Sequence, residues 1–134
     1  MDDIRTVAAR ACLDGAYAAT MDFPTIVGTL ISAGFEGYAV DYRRGTAVYY
    51  GNDGSSVELP IPSDDTQVAP DFSAESIQAA IREAQSGAPG YTYKGFCRNV
   101  KTSGCAGYIV SFPGRRVVYF GRTGELHVEH FPDN

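Results

Sequence analysis

Apolar residues recur along this chain at two spacings, one typical of helices and one typical of strands. Steps of three and four residues mark four helical segments. Their apolar stripes are Ile4, Val7, Ala8, Ala11 and Cys12; Ile26, Val27, Leu30 and Ile31; Ile77, Ala80, Ile81 and Ala84; and Phe96, Cys97 and Val100. Asp22 and Ser73 are suited to N-caps, and Gly34, Gly87 and Gly104 to C-terminal stops. The pattern predicts four helices.

Strands are predicted where apolar residues alternate with polar or smaller ones. The two clearest cases place on one face Tyr38, Val40 and Tyr42, and in a later segment Tyr108, Val110 and Phe112. Further strands are predicted over residues 46–50, 55–61, 115–120 and 125–131. Glycine-containing turns at 51–54 and 121–124 separate them. Because tight turns join antiparallel neighbours, the pattern predicts six antiparallel strands.

The chain also matches itself when shifted by 70 positions. The window from residue 34 to 54 has 8 identities in 21 positions without a gap. The residues that recur 70 positions later are Gly34, Gly37, Tyr38, Val40, Val48, Tyr49, Gly51 and Gly54. Such self-similarity indicates an internal duplication.

The duplicated unit is a helix-helix-three-strand string, so we predict an α+β fold in two layers, an antiparallel sheet covered by helices. A single domain is expected over residues 1–134. The first repeat covers about 1–62, an exposed linker about 63–71, and the second repeat about 72–134. Duplicated units usually pack about a pseudo-twofold axis. Whether the strands form one sheet or two is left open.

The charge and the cysteine content indicate which partners are disfavoured and which cellular compartment is expected. The net charge of -5, from 11 basic and 16 acidic residues, disfavours nucleic-acid and membrane partners, which select basic surfaces. Three cysteines form an odd set without a CxxC pair. The start Met1-Asp2-Asp3 lacks a signal-peptide pattern, and no apolar run is long enough to span a membrane. We expect a cytoplasmic protein with reduced thiols.

Basic residues are concentrated in the second half of the chain. No acid occurs between Glu83 and Glu125, a stretch that contains Lys94, Arg98, Lys101, Arg115, Arg116 and Arg122. These residues either lie on a solvated face or gather into a local anion site, and both interpretations remain open.

The tyrosines suggest where a ligand would bind. Tyr38 and Tyr108 occupy matched positions in the two repeats, so a pocket at the seam between the repeats would be lined by both. Tyr91, Tyr93, Lys94 and Arg98 are candidates for its wall. We predict binding residues Tyr38, Tyr108, Lys94, Arg98 and Arg115. Cys97 and Cys105 have apolar counterparts in the first repeat, Val27 and Phe35, and are expected in the core.

The segment 125–130 carries the densest polar cluster. His127 and Glu129 are two residues apart on a predicted strand and so share a face. They are candidate metal ligands, or a base with its orienting group. The alternative is a charge pair on the solvent face of an edge strand. If one residue is inserted in the second repeat, Glu58 corresponds to Glu129, and a pseudo-twofold axis would bring two carboxylates together.

Several of these segments resemble a known family. Gly104-Cys105-Ala106-Gly107-Tyr108, residues 117–121 and the closing stretch 128–132 are similar to a family of uncharacterised small bacterial and prophage proteins, often labelled "phage envelope protein". The similarity covers nearly the whole chain, including Phe23-Pro24 and residues 38–41. Its motifs specify the fold, and the resemblance brings no established catalytic residues.

Three functions are compatible with these patterns. The first is a noncatalytic module that binds a small molecule or a protein at the seam between the repeats. The second is a homo-oligomeric interaction protein with a stress or prophage accessory role, in which an exposed strand edge pairs across subunits. The third is a small metal-dependent or carboxylate/His hydrolase built on His127 and Glu129. We favour the noncatalytic interpretation; ligand and cofactor are not identified by the sequence.

Overall fold

The computed structural model describes residues 1–132, and within them the chain forms four α-helices and six β-strands. The first half contains α1 (Asp3–Tyr17), α2 (Phe23–Ser32), β1 (Phe35–Asp41), β2 (Thr46–Gly51) and β3 (Ser56–Pro60). The second half contains α3 (Ala74–Ser86), α4 (Tyr93–Thr102), β4 (Cys105–Ser111), β5 (Arg116–Gly121) and β6 (Leu126–His130). The predicted α+β class and the helix-helix-three-strand order of each half are confirmed.

All six described strands lie in one antiparallel sheet, in the order β3-β2-β1-β4-β5-β6. The two halves therefore meet where β1 pairs with β4. One face of the sheet shares a hydrophobic core with the helices, to which Leu30, Ile77 and Val100 contribute. The question left open by the sequence is answered in favour of one sheet.

The sheet has the symmetry of a local twofold axis. In the second half α4, β4, β5 and β6 begin and end 70 residues after α2, β1, β2 and β3. In the β1–β4 ladder, Ala39 pairs with Ile109, the residue 70 positions later, and Gly37–Ser111 mirrors Asp41–Gly107. The axis thus passes between Ala39 and Ile109, and in these four pairs of elements positions separated by 70 residues are structural counterparts.

The helix ends follow the capping pattern expected from the sequence. The Asp22 carboxylate accepts from the backbone N–H of Thr25, and the Ser73 hydroxyl accepts from that of Ser76. After the helices, Gly34, Gly87 and Gly104 adopt positive φ, at 94°, 64° and 92°. Both ends of these helices are therefore encoded locally.

The buried face of α1 differs from the predicted stripe, of which only Cys12 is buried. Ile4 and Val7 are 82% and 67% exposed, whereas the buried face of the helix carries Ala9, Cys12 and Leu13. Two neighbouring stripes fit the same helical spacing, and packing against the rest of the core selects the second. Arg5 also bonds Asp53 in the β2–β3 turn at 3.0 Å, a contact that the observed rotation of α1 allows.

The segment predicted as an exposed linker is partly buried. Residues 61–73 contain no regular helix or strand, yet Val68 is only 8% exposed. The N–H of Ala69 donates to the carbonyl of Lys101 at 3.0 Å, and Arg122 donates to the carbonyl of Val68 at 3.2 Å. The segment is therefore bound to the second half rather than solvated. Among residues 1–132, no helix is long and apolar enough to cross a membrane.

Candidate ligand-binding cleft

A small cleft opens where the two halves and the segment between them meet. We call it the seam cleft; its cavity volume is about 10 Å³, enough for about one water molecule. Its wall includes Tyr17 and Tyr42 from the first half, Asp64 from the connecting segment, and Lys94, Cys97 and Lys101 from α4. The three α4 residues lie on one side of the helix because their spacings are three and four residues.

Among the described residues one charged side chain is buried, and it lies in the seam cleft. Lys101 is 8% exposed, and its Nζ lies 2.8 Å from Oδ1 of Asp64 and 5.5 Å from the centre of the Tyr42 ring. The hydrogen bond from Lys101 lowers the pKa of Asp64 below its usual value. Asp64 is itself held in place because it accepts from the N–H of Thr66 at 2.7 Å. The cleft thus has a preorganised ion pair on its wall.

Two tyrosines bring hydroxyl groups into the same region. The Tyr42 hydroxyl is buried and lies close to the Cys97 thiol, but it makes no hydrogen bond of normal geometry among the described residues. Tyr17 lies with its hydroxyl 3.9 Å from Sγ of Cys97. Burial raises the pKa of both hydroxyls and of the Cys97 thiol, so all three groups are neutral at pH 7. The Tyr42 hydroxyl can therefore donate to an acceptor placed in the cleft.

These polar residues have no polar counterparts across the twofold axis. Pro24, Val27 and Ile31 occupy in α2 the positions of Lys94, Cys97 and Lys101 in α4, and Phe112 corresponds to Tyr42. The same backbone therefore forms in the first half with apolar residues at these positions. The polar groups of the seam cleft are not required by the fold.

The predicted binding residues are only partly brought together. Tyr108 is buried, and its hydroxyl hydrogen-bonds that of Tyr93, beneath α4. Tyr38 is also in the core, stacked on Tyr49 with ring centres 5.2 Å apart, and does not line the seam cleft. Of the charged residues proposed for binding, Lys94 lines the cleft.

The basic residues of the second half do not gather into one patch. Arg98 is exposed on α4 outside the lining of the seam cleft. Arg115, at the β4–β5 turn, donates to the carbonyl of Pro132 at 3.1 Å and covers the Phe131 ring. Arg116 donates to the carbonyl of Gly114, and Arg122 is bonded to the segment before α3. A single anion site formed by all six is therefore excluded, because three lie on α4 while Arg116 lies on the opposite face of the sheet and Arg115 is bonded near Pro132.

His127 and Glu129 face the helix layer, so the interpretation of a solvent-facing charge pair is wrong. They pair in register with the buried Tyr119 and Val117. Nε2 of His127 lies 3.5 Å from a carboxylate oxygen of Glu129 and makes no hydrogen bond among the described residues. Within residues 1–132 there is no group of three or more His, Cys, Asp or Glu side chains that could hold a metal ion.

The expected correspondence between Glu58 and Glu129 is also wrong. The ladders pair Glu58 with Val48 and Val128 with Val118, so Glu58 corresponds to Val128 without any insertion. Glu58 lies on β3 and Glu129 on β6, at opposite edges of the sheet and on opposite faces. The twofold axis therefore does not bring these carboxylates together.

The three cysteines are buried and free of disulfides, as expected for core residues. Burial raises the pKa of Cys105 to about 12 and that of Cys12 and Cys97 above the usual value. A protonated buried thiol is a poor nucleophile. Cys97 therefore contributes packing and a weak polar contact at the cleft wall.

The sequence reasoning missed Tyr17, Tyr42, Asp64 and Lys101 as cleft residues. A signal was present for two of them: the repeat alignment sets Lys101 against Ile31 and Tyr42 against Phe112. Asp64 and Tyr17 reach the cleft through the path of the connecting segment and the end of α1. No local pattern in the sequence predicts either path.

The fold and the cleft define a class: an α+β protein whose two halves are related by a local twofold axis, with a polar cleft where the halves meet. The chain belongs to the family described as "Protein of unknown function (DUF1398)", whose model matches residues 16–130. This confirms the predicted membership of an uncharacterised family, while a bacterial or prophage origin stays a prediction. No curated protein matches the chain.

Proposed function

We propose that this protein is a noncatalytic binding module whose seam cleft takes a small ligand with one anionic group, a carboxylate or a phosphate. The observation that carries the proposal is the buried Tyr42 hydroxyl, which makes no hydrogen bond of normal geometry among the described residues, on a ring whose face lies 5.5 Å from Lys101 Nζ. Buried polar atoms are nearly always hydrogen-bonded, and an exception calls for a water or ligand. A ligand oxygen at the cleft would accept from this hydroxyl.

The charges of the cleft favour an anion. Lys94 and Lys101 contribute two positive charges and Asp64 one negative charge, which leaves one positive charge in excess. Lys94 is exposed and makes no ion pair in the described part of the chain, so it is available to a ligand. An ammonium group binds carboxylates and phosphates by charge-assisted hydrogen bonds, which are the stronger kind.

The size of the cleft limits the ligand. Its cavity volume of about 10 Å³ holds about one water molecule. We therefore expect one oxygen of the anionic group to enter the cleft, in the place of that water. The rest of the ligand would lie at the mouth of the cleft, beside the exposed Lys94.

The other two functions have weaker support. A hydrolase would depend on His127 and Glu129, which lie on β6 and are not among the residues that line the seam cleft. A stress or prophage accessory role follows from the family resemblance alone. Both stay predictions behind the binding module.

The test is a thermal-shift titration with inorganic phosphate, small carboxylates and small phosphate monoesters, confirmed by calorimetry. A compound that binds the cleft raises the melting temperature of the wild type because it binds the folded state selectively. Lys94→Ala and Tyr42→Phe should each weaken its affinity about tenfold, since each removes one hydrogen bond to a charged group. Tyr42→Phe should also stabilise the free protein by about 1 kcal/mol, because it removes an unpartnered buried hydroxyl.

Arg98→Ala is the matched control, because Arg98 is an exposed base on the same helix but outside the cleft lining. It should bind every hit as the wild type does. The proposal is wrong if no compound of these classes binds, or if Arg98→Ala loses as much affinity as Lys94→Ala.

A further inference from the structure

The sheet face turned away from the helices carries an apolar row across five strands. Its members, paired in register from β2 to β6, are Val48, Ala39, Ile109, Val118 and Val128. Ile109 and Val128 are 47% and 37% exposed. The residues on this side of the strands, which no helix of residues 1–132 covers, are called the open sheet face below.

Large apolar side chains flank that row. Tyr50 is 45% exposed and Leu126 is 61% exposed, and Phe120 lies next to Leu126 in the ladder. The outer face of a one-sided antiparallel sheet normally carries polar residues. A contiguous apolar surface of this kind usually marks an interaction site.

Charged residues divide the open sheet face into two unlike halves. Asp41 and Glu58 lie on the strands of the first half, and Arg116 lies on β5 in the second. Arg44 approaches Glu58 to only 3.9 Å, with both side chains largely exposed, and so neutralises it weakly. The second half has no acid on this face among the described residues.

We propose that the open sheet face is the interface of a homodimer in which two copies pack face to face. A twofold axis that lies between the sheets and runs along the strands sets the β3-β2-β1 half of one copy on the β4-β5-β6 half of the other. Each acidic half then meets a basic half, twice by symmetry. The apolar rows of the two copies form the centre, as in a sandwich of aligned sheets.

The area available is consistent with a reversible dimer. Six strands spaced about 4.8 Å apart, with about five residues of 3.4 Å each, give a flat footprint on the order of 500 Å². Because side chains protrude from the sheet, the accessible area is larger than this flat footprint and approaches the roughly 800 Å² per partner of standard complexes. We expect a dissociation constant in the micromolar range, as for modest interfaces.

Pairing through the strand edges is disfavoured by the edges themselves. Both edge strands, β3 and β6, have five residues, and β3 ends in Pro60. Short strands and proline are features that protect sheet edges from further pairing. The face, and not the edge, therefore offers the larger unprotected surface for a second copy.

The experiment is sedimentation equilibrium of the full chain over a range of concentrations. The wild type should show twice the monomer mass at about 100 µM, well above a micromolar dissociation constant. Ile109→Lys should raise the dissociation constant more than tenfold while the circular dichroism spectrum and melting temperature stay close to the wild type, since Ile109 is half exposed in the monomer. Val7→Lys, on the exposed side of α1, is the matched control and should dimerise normally.

Charge reversal tests the arrangement of the halves. Glu58→Lys and Arg116→Glu should each raise the dissociation constant about tenfold, and the double variant should recover most of the loss. The recovery cannot arise within one copy, because β3 and β5 are four strands apart, about 19 Å. A wild type that is monomeric at about 100 µM overturns the proposal. So does a dimer that Val7→Lys dissociates and Ile109→Lys leaves intact.

Discussion

At the scale of single residues, the two halves of the molecule differ most clearly at Lys101. Its counterpart Ile31 is 53% exposed on α2, whereas Lys101 is buried and paired with Asp64. Removing the partner of a buried cation destabilises a protein strongly, because the cation has lost its hydration and no longer has a compensating contact. The ion pair therefore holds the segment between the halves against α4 and shapes the seam cleft.

Asp64→Asn tests that role through pH. The hydrogen bond from Lys101 lowers the pKa of Asp64 in the folded protein. A lowered folded pKa means that the carboxylate stabilises the fold above its unfolded pKa of about 4, and that this stabilisation is lost as pH falls through the folded value. Asp64→Asn should therefore be less stable than the wild type by about 1–2 kcal/mol at pH 7, and the difference should shrink below about pH 4.

Urea unfolding followed by circular dichroism at pH 7 and at pH 3 measures this difference. Asp65→Asn is the control, since Asp65 is adjacent in the chain, exposed, and outside any ion pair of the described residues. It should change the stability by less than about 0.5 kcal/mol at either pH. A loss of equal size at both pH values for Asp64→Asn would contradict the ion-pair account.

At the scale of elements, the turns that follow α2 and α4 are the same locally and differ in their surroundings. Gly34 and Gly104 have φ of 94° and 92°. A Cβ on Gly34 would have only Arg5 Cδ nearby, at 3.9 Å, whereas one on Gly104 would overlap the backbone carbonyl of Asp71. The connecting segment passes over the second turn and leaves no room for a side chain.

Alanine at each glycine separates the two effects. Gly34→Ala should destabilise the protein by about 1–2 kcal/mol, the usual cost of a left-handed conformation for a residue with a Cβ. Gly104→Ala should cost more than about 3 kcal/mol, because backbone must move as well. Thermal unfolding of both variants measures the difference. Equal losses would mean that the connecting segment is not packed against the α4–β4 turn in solution.

At the scale of the whole molecule, stability is centred on the seam between β1 and β4. These two strands have hydrogen-bonded neighbours on both sides, and their residues Tyr38, Val40, Tyr108 and Val110 lie in the core. The edges β3 and β6 pair on one side only. Local opening is easiest where few contacts must be broken.

Native-state hydrogen exchange should therefore rank the strands by distance from the centre. We expect the slowest amides in β1 and β4, intermediate ones in β2 and β5, and the fastest in β3 and β6. The symmetry supplies an internal control, since β3 and β6 hold equivalent places. Protection confined to one half, with the other exchanging fast throughout, would contradict a shared cooperative centre.

Much of the fold was predictable because its causes are local. Apolar spacing located four helices and six strands, caps such as Asp22 and stops such as Gly34 set the helix ends, and the shift of 70 residues indicated the duplication. The buried face of α1 was not fully predictable, because two stripes fit the same periodicity and packing of Ala9 and Leu13 into the core decides between them. Of the seam cleft, Lys94 was anticipated and Asp64 was not.

The sequence by itself determined the elements, their repeat and the membership of an uncharacterised family, since these depend on spacing along the chain. Only the tertiary structure decided that the strands form one sheet, that His127 and Glu129 face the helices, and that Lys101 meets Asp64. It also decided which apolar residues remain uncovered on the outer face. The physical reason is that burial and pairing depend on contacts between residues far apart in the chain, and two nearly identical local patterns can enter different surroundings.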